Sequence, residues 1–204
     1  MAELTLTTFL TIDGVMQAPG GPDEDTSGDF PYGGWLVPHA DDDMGKTMVE
    51  IFSKADAFLL GRTTNDIFSA YWPRVTDPND PIAGKLNSLP KFVASHTQNT
   101  FGWSGSSHVR DVTKEMADIK KRFPREVQVH GSCGLAQTLI KNDLIDEYRL
   151  LTFPVVLGTG KRLFGAGAAP ATLRLVSSST TSKGAIVSVY RRAGSLKTGS
   201  FALD

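Results

Sequence analysis

The sequence predicts an α/β fold with a mainly parallel central sheet and an antiparallel hairpin at its C-terminal edge. Short β-branched or apolar segments alternate with segments of helical periodicity, a pattern typical of parallel sheets connected by helices. Glycine-containing turns join several of these strands to the helix that follows. The last two strand-like segments have no helix between them, so we expect them to pair as a hairpin.

The first half of the chain is predicted to contain three strands and two helices. The strands cover residues 4–12, 55–60 and 91–95, which are rich in β-branched and apolar side chains. The first helix starts at the acidic residues 41–43, and the second carries Ile67, Phe68 and Tyr71. Acidic groups in a first turn favour the helix dipole, and a catalytic role for Asp42 and Asp43 is the alternative. Residues 73–81 are predicted to form a loop.

The second half is predicted to continue the alternation and then to end in the hairpin. A helix capped by Thr113 precedes a short strand that contains Val127 and Val129, and a further helix follows it. A long strand is predicted at 146–157, and the hairpin strands at 172–177 and 185–191. No linker divides the chain, so residues 1–192 are expected to form one domain, with 193–204 as a flexible tail.

A segment rich in glycine and proline, residues 17–35, has no helical or strand periodicity. Loops of this length within a compact domain are usually functional or disordered. The aromatic residues Phe30, Tyr32 and Trp35 favour packing over disorder. We therefore expect a functional loop.

Composition excludes several classes of function. With 204 residues and a formal net charge of −1, the chain lacks the basic character of a nucleic-acid binder. It contains no apolar run of membrane-spanning length and no basic, apolar N-terminal signal. A single cysteine excludes an internal disulfide and makes a metal site improbable. We therefore expect a cytoplasmic protein without a nucleic-acid or membrane partner.

Polar residues follow three of the predicted strands where each strand ends. Because the carboxyl ends of parallel strands meet at one edge of a sheet, these junctions should converge. They combine helix N-termini, cations and hydroxyl groups, which suit a ligand with two or three phosphates. The junctions are Gly61-Arg62-Thr63-Thr64, Ser95-His96-Thr97 and Gly131-Ser132-Cys133-Gly134.

Individual residues in these junctions remain open to two interpretations. The turn from Gly131 to Gly134 alone is equally consistent with a tight connection that binds nothing. We expect Cys133 to have a packing role and His130 to be a hydrogen-bonded structural histidine, with reactivity or catalysis as the alternatives. His96 is expected to contact a phosphate.

Several motifs together resemble the dihydrofolate-reductase fold family. The resemblance is closest to the reductase domain of the bacterial riboflavin-biosynthesis deaminase–reductase and its stand-alone relatives, and it extends over residues 4–190. The motifs are LTIDGV at 10–15, LLGRTT at 59–64, YWP at 71–73, VASH at 93–96, HGSCGL at 130–135 and LTFPVVLGTG at 151–160.

This resemblance implies a three-layer sandwich, an NADPH-dependent reductase and a homodimer. The cofactor phosphates would be held by Gly61, Arg62, Thr63 and Thr64, and the diphosphate turn would extend from Gly131 through Ser132, Cys133 and Gly134 to Leu135. Ser95 and His96 would lie at the 2′-phosphate of the adenosine. Asp42 or Asp43 would contact the substrate or supply a proton, and the loop at 17–35 would act as a lid.

The substrate class is left open between a pyrimidine and a pterin. A reductase of another small conjugated compound could use the same scaffold, and so could a nucleotide-binding module without turnover.

Overall fold

The computed structural model describes residues 1–165 and 168–202, and its described strands form one eight-stranded sheet in the order β4-β3-β2-β5-β1-β6-β8-β7. The neighbours from β4 to β6 run parallel, and β8 is antiparallel to both β6 and β7. The predicted fold class and the C-terminal hairpin are therefore confirmed. The strands are β1 (Glu3–Thr11), β2 (Ala55–Gly61), β3 (Lys91–Ala94), β4 (Ser106–Val109), β5 (Glu126–His130), β6 (Glu147–Phe153), β7 (Leu173–Thr180) and β8 (Ile186–Arg192).

Five α-helices in the described part of the chain flank the sheet, and the alternation of side chains along each strand produces one apolar cluster on each face. One face packs Leu4 and Leu6 of β1 against α4 and α5, and the other packs Phe58 and Phe153 against α1. Two 3₁₀ turns lie at Val37–His39 and Trp72–Arg74. The α-helices are α1 (Asp42–Ser53), α2 (Arg62–Tyr71), α3 (Pro81–Ser88), α4 (Val112–Lys121) and α5 (Cys133–Lys141).

The structure corrects several predicted boundaries. It contains α3 and β4, which the sequence did not indicate. The strand predicted at 146–157 ends at Phe153, because Pro154 has no N–H to donate to a ladder. The N-cap of α4 is Asp111, whose carboxylate accepts from the backbone N–H and the hydroxyl of Thr113. The last two residues of the predicted flexible tail lie outside the described part of the chain.

The loop at residues 17–35 is held against the domain by its own polar and aromatic side chains. The Trp35 indole N–H donates to the Gln17 carbonyl oxygen at 2.8 Å. The Gln17 side-chain amide donates to the carbonyls of Asp25 and Ser27, and its oxygen accepts from the Lys161 N–H. These contacts place the loop along the binding cavity described below. Its ordering over bound ligands stays a prediction.

Charged side chains fill the face of the sheet near the start of the strands. Arg149, which is 5% exposed, donates to both carboxylate oxygens of Glu126 at 2.7 and 2.9 Å and to Glu147 at 2.8 Å. Glu147 also accepts from Arg191, whose guanidinium contacts Glu3. Burial alone would raise the pKa of Glu126, but the hydrogen bonds and charge of Arg149 outweigh it, so its pKa is lowered.

Arg149→Met should destabilise the fold by about 3–5 kcal/mol, because it leaves the buried Glu126 carboxylate without its cation and Glu147 with Arg191 alone. Urea unfolding near neutral pH measures the loss. Since the folded pKa of Glu126 is lowered, its contribution is complete above the unfolded pKa and disappears as the pH falls through the folded value. The difference between variant and wild type should therefore shrink in acid. Lys121→Met removes an exposed ion pair with Asp118 and should change stability little.

Candidate functional site

A cavity of about 1130 Å³ opens at the carboxyl ends of the parallel strands. All three polar junctions predicted from the sequence line it, as expected from the parallel arrangement. Part of its wall is apolar and comes from α1, α2 and β1. The predicted lining residues that the structure brings together here are Gly61, Arg62, Thr63, Thr64, Ser95, His96, Gly131, Ser132, Cys133, Gly134 and Leu135.

Of the helices that start at this cavity, α2 and α5 lack side-chain caps, whereas α4 is capped by Asp111. The N-cap of α2 is Gly61 and that of α5 is Ser132, and neither makes a side-chain capping hydrogen bond. In contrast, α1, α3 and α4 are each capped by an aspartate, Asp41, Asp80 and Asp111. The first-turn N–H groups of α2 and α5 are therefore available to an anion, and the helix dipoles favour one.

The hydroxyl of Ser132 joins the two junctions. It accepts from the Gly61 N–H at 2.9 Å and donates to the Thr64 hydroxyl at 2.6 Å. Ser132 has a φ of 63°, in the left-handed region, and follows Gly131, whose φ is also 63°. A Cβ at position 61 would lie 3.0 Å from the Ser132 oxygen, so the close approach requires glycine.

The cations at the cavity are not equivalent. The Arg62 guanidinium donates a hydrogen bond to the Asp66 carboxylate of the same helix at 2.8 Å. His96 and Arg110 line an adjoining pocket, and within residues 1–165 and 168–202 the Arg110 guanidinium has no hydrogen-bond or ion-pair partner. Sequence reasoning missed Arg110, because the short strand β4 that delivers it to the cavity edge was not recognised.

Two predicted site residues use their polar atoms locally. The Ser95 hydroxyl accepts from the backbone N–H groups of Thr97 and Gln98, which shapes the turn after β3. The Cys133 thiol lies 3.8 Å from the Arg162 carbonyl oxygen, and burial raises its pKa. A raised thiol pKa disfavours the reactive thiolate and agrees with the packing role expected of this residue.

Asp42 and Asp43 do not line the cavity. The Asp43 carboxylate accepts hydrogen bonds from the backbone N–H and the hydroxyl of Ser182, which lies in the turn between β7 and β8. These hydrogen bonds connect α1 to the C-terminal hairpin. The positions of Asp42 and Asp43 do not support the predicted catalytic role.

Asp111 at the start of α4 lines the cavity, and so do two carboxyl residues of the 17–35 loop, Glu24 and Asp25. Those two carboxyl groups differ in their surroundings. Asp25 forms an ion pair with Lys161 at 2.6 Å. Glu24 accepts from the Gly20 N–H at 2.6 Å, and burial raises its pKa despite that hydrogen bond. Glu24 is therefore the cavity carboxyl whose pKa is raised, whereas hydrogen bonds lower the pKa of Asp25 and of Asp111.

His130 ends β5 at the cavity, where its ring stacks on Phe52 with centroids 4.3 Å apart. Its Nε2 lies 3.0 Å from the Gln128 side-chain oxygen. Burial, together with the positive charge of Arg149, lowers the pKa of His130 to about 3, so the ring is neutral at physiological pH. The hydrogen bond agrees with the structural role expected of His130, whose ring also forms part of the cavity wall.

Within 1–165 and 168–202 no three histidine, cysteine or acidic side chains form a group that could hold a metal ion. No helix in that same part of the chain is long and apolar enough to cross a bilayer.

Comparison with known proteins identifies relatives along nearly the whole chain. The uncharacterized protein YyaP of Bacillus subtilis is 29% identical over 193 residues, covering 94% of this chain and 95% of that protein. A solved protein of Shewanella sp. PV-4, whose name assigns it provisionally to riboflavin biosynthesis, superposes with a TM-score of 0.70 at 22% identity, covering 95% of this chain and 99% of its own.

Dihydrofolate reductase from Enterococcus faecalis, solved in complex with NADP(H), superposes with a TM-score of 0.60 at 13% identity, covering 93% of this chain and 96% of its own. This confirms the predicted dihydrofolate-reductase-like fold. The family model described as the RibD C-terminal domain matches residues 2–187. The chain therefore belongs to the RibD C-terminal domain family.

Proposed function

We propose that this protein is an NADPH-dependent reductase that transfers a hydride to a small heterocycle of the pyrimidine or pterin type. Membership of the RibD C-terminal domain family and the dihydrofolate-reductase-like fold support a reductase-type function. The observation that carries the proposal is the pair of uncapped helix N-termini at one large cavity. NADP(H) in the Enterococcus faecalis enzyme makes this dinucleotide the natural candidate ligand.

The residues present fit such a cofactor. A diphosphate needs several N–H donors in close array, and the first turns of α2 and α5 supply them on either side of the Ser132 link. Gly131 has no side chain to block close approach of a ligand to the backbone. His96 and Arg110 would take the 2′-phosphate, which distinguishes NADPH from NADH.

NADPH supplies the hydride when bound, and the chain supplies orientation, exclusion of water and a proton. The loop at 17–35 would cover the reacting groups, and the apolar residues Met48 and Phe52 would exclude water from them. The carboxyl of Glu24, which lines the cavity and whose pKa is raised by burial, would donate the proton that accompanies hydride transfer. This role replaces the one expected of Asp42 or Asp43.

Arg110→Ala should weaken NADPH binding by about 1.5–3 kcal/mol, the usual contribution of a hydrogen bond to a charged group, and leave NADH binding nearly unchanged. Fluorescence titration of both cofactors measures the effect. Lys46→Ala removes a positive charge outside the cavity and controls for net charge. Equal losses for NADPH and NADH in Arg110→Ala would contradict the assignment of the 2′-phosphate site.

Glu24→Gln should lower kcat by about 10²–10⁴-fold without changing NADPH affinity, because the amide cannot donate the proton as an acid does. Turnover is followed by the loss of the NADPH absorbance band with pyrimidine, pterin and quinone substrates. Wild-type kcat should decline as the pH rises through the raised pKa of Glu24, and this limb should be absent from the variant.

Asp42→Asn provides the matched control for Glu24, since it removes a carboxylate outside the cavity and should retain wild-type kcat. If Asp42→Asn loses activity and Glu24→Gln does not, the proton donor is misassigned. NADPH binding without oxidation by any substrate would instead favour the non-catalytic nucleotide-binding module.

We further propose a cytoplasmic homodimer. Leu175 and Val176 on the edge strand β7 are about half exposed, at 50% and 47%. An exposed edge strand with apolar side chains can pair with another chain, so we expect this edge to be covered by a second copy. Two-fold contacts are the commonest way to cover such a surface in soluble proteins.

Light scattering during gel filtration is expected to give about 44 kDa, twice the 22.0 kDa chain mass. Leu175→Lys should shift the protein toward the monomer, because it places a charge in the contact, whereas Val156→Lys changes an exposed residue outside β7 and should not. A wild-type monomer at high concentration would refute the dimer.

A further inference from the structure

Uncharged side chains from three helices form one wall of the cavity. Met44 and Met48 are four residues apart on α1, so they share one face of that helix. Phe68 and Trp72 are also four residues apart, and the Trp72 N–H donates to the Phe68 carbonyl oxygen, which continues the helical turn of α2. We call the whole surface the helical wall, and it consists of Met44, Met48, Ile67, Phe68, Trp72 and Ile82.

The helical wall is only partly covered by the protein itself. Phe68, Trp72 and Ile82 pack against the apolar cluster on the α1 face of the sheet and stay half-buried, as does Met44. Single apolar side chains are common on a protein surface, but several of them around one cavity indicate a ligand-binding surface. The wall therefore has apolar surface that a ligand can reach.

The charged side chains of the cavity lie away from this wall. Arg62 is the first residue of α2, at the phosphate-binding end, and Lys161 pairs with Asp25 at 2.6 Å. His96 and Arg110 line the adjoining pocket. Among the described residues, neither α1, α3 nor the part of α2 beyond its first turn contributes a charged side chain to the cavity lining. A phosphate or carboxylate at the wall would lose its hydration without gaining a cation, so the wall favours an uncharged group.

The side chains of the wall suit a flat ring. The rings of Phe68 and Trp72 lie edge to face, with centroids 6.2 Å apart and an interplanar angle of 78°. A bound aromatic ring can pack against them in the same preferred geometry. Met44 and Met48 are unbranched and polarizable, so they can adapt to the outline of a ring and contact it through sulfur.

We propose that the helical wall binds an uncharged aromatic group, so that the substrate carries such a group in place of a phosphate or carboxylate. The inference rests on the proposed reductase function, because the aromatic compound is assigned as the substrate of that reaction. Contact with the wall requires neither NADPH nor hydride transfer, so binding and turnover can fail separately.

Binding of 2-methoxynaphthalene and of 2-naphthoate to the full-length protein tests the charge preference. The two compounds share a ring system, and only the second carries a negative charge. Ligand-observed NMR without cofactor measures both affinities in phosphate buffer, in which inorganic phosphate occupies the first turns of α2 and α5 and keeps naphthoate from them. The wild type should bind 2-methoxynaphthalene about 5- to 30-fold more tightly, because the wall offers no cation to replace the hydration of the carboxylate.

Methyl-labelled methionine locates the bound compound. The chain has five methionines, so each methyl signal can be followed separately. Met44 and Met48 belong to the wall, whereas Met116 is 1% exposed in the apolar cluster on the opposite face of the sheet. Addition of 2-methoxynaphthalene should shift the methyl signals of Met44 and Met48 through the ring current of the compound and leave that of Met116 unchanged.

Met44→Glu should weaken binding of 2-methoxynaphthalene by about 5- to 30-fold, because it exchanges apolar contact area for a charge. An acidic side chain in the first turn of α1 is favourable for that helix, so the fold should be retained. Met44→Leu keeps an apolar side chain of similar size and should bind like the wild type. Val49→Glu is the matched control, since it adds the same charge at an exposed position of α1 outside the cavity and should leave the affinity unchanged.

Equal or tighter binding of 2-naphthoate, methyl shifts confined to methionines outside the wall, or equal losses in Met44→Glu and Val49→Glu would each overturn the proposal. Undetectable binding of 2-methoxynaphthalene would overturn it as well. If 2-methoxynaphthalene binds as expected and NADPH does not, the assignment of the helical wall is retained and the proposed reductase function is rejected.

Discussion

The hydrogen bonds of the Ser132 hydroxyl hold together two segments that are about 70 residues apart in sequence. By bonding Gly61 N–H and Thr64 Oγ, the hydroxyl fixes the start of α5 beside the start of α2. Both helices then point uncapped first turns at the same cavity. The left-handed backbone of Ser132 and the absence of a side chain at Gly61 are the conformational requirements of this link.

The general position of the site could be predicted from sequence because it depends on topology. Once β2, β3 and β5 are recognised as parallel strands, their polar ends must meet at one edge. The contribution of Arg110 could not be predicted in this way. It depends on β4, a four-residue strand without strong periodicity, whose pairing with β3 is a tertiary contact.

The roles of the carboxylates required three-dimensional information for a related reason. Asp41, Asp42 and Asp43 are indistinguishable as a run of charges, yet Asp41 caps α1 and Asp43 binds the β7–β8 turn. Glu24 lies in a loop without periodicity, and its burial depends on how that loop folds back along the cavity. The periodic spacing of apolar residues predicts helices and strands. An irregular loop has no such spacing, so the sequence gives little information on where its side chains lie.

The charged network under the sheet connects stability with recognition. Arg149 keeps Glu126 ionised, and Glu126 and the Ile51 carbonyl accept both N–H bonds of the Gln128 amide. The Gln128 oxygen therefore accepts from His130 Nε2, which places the imidazole proton on that nitrogen. Burying these charges contributes little to stability by itself, since a buried ion pair barely offsets its desolvation cost. What the network provides is a single hydrogen-bonding state for a neutral imidazole at the cavity wall. A substitution at Gln128 should therefore alter ligand preference even though Gln128 itself does not line the cavity.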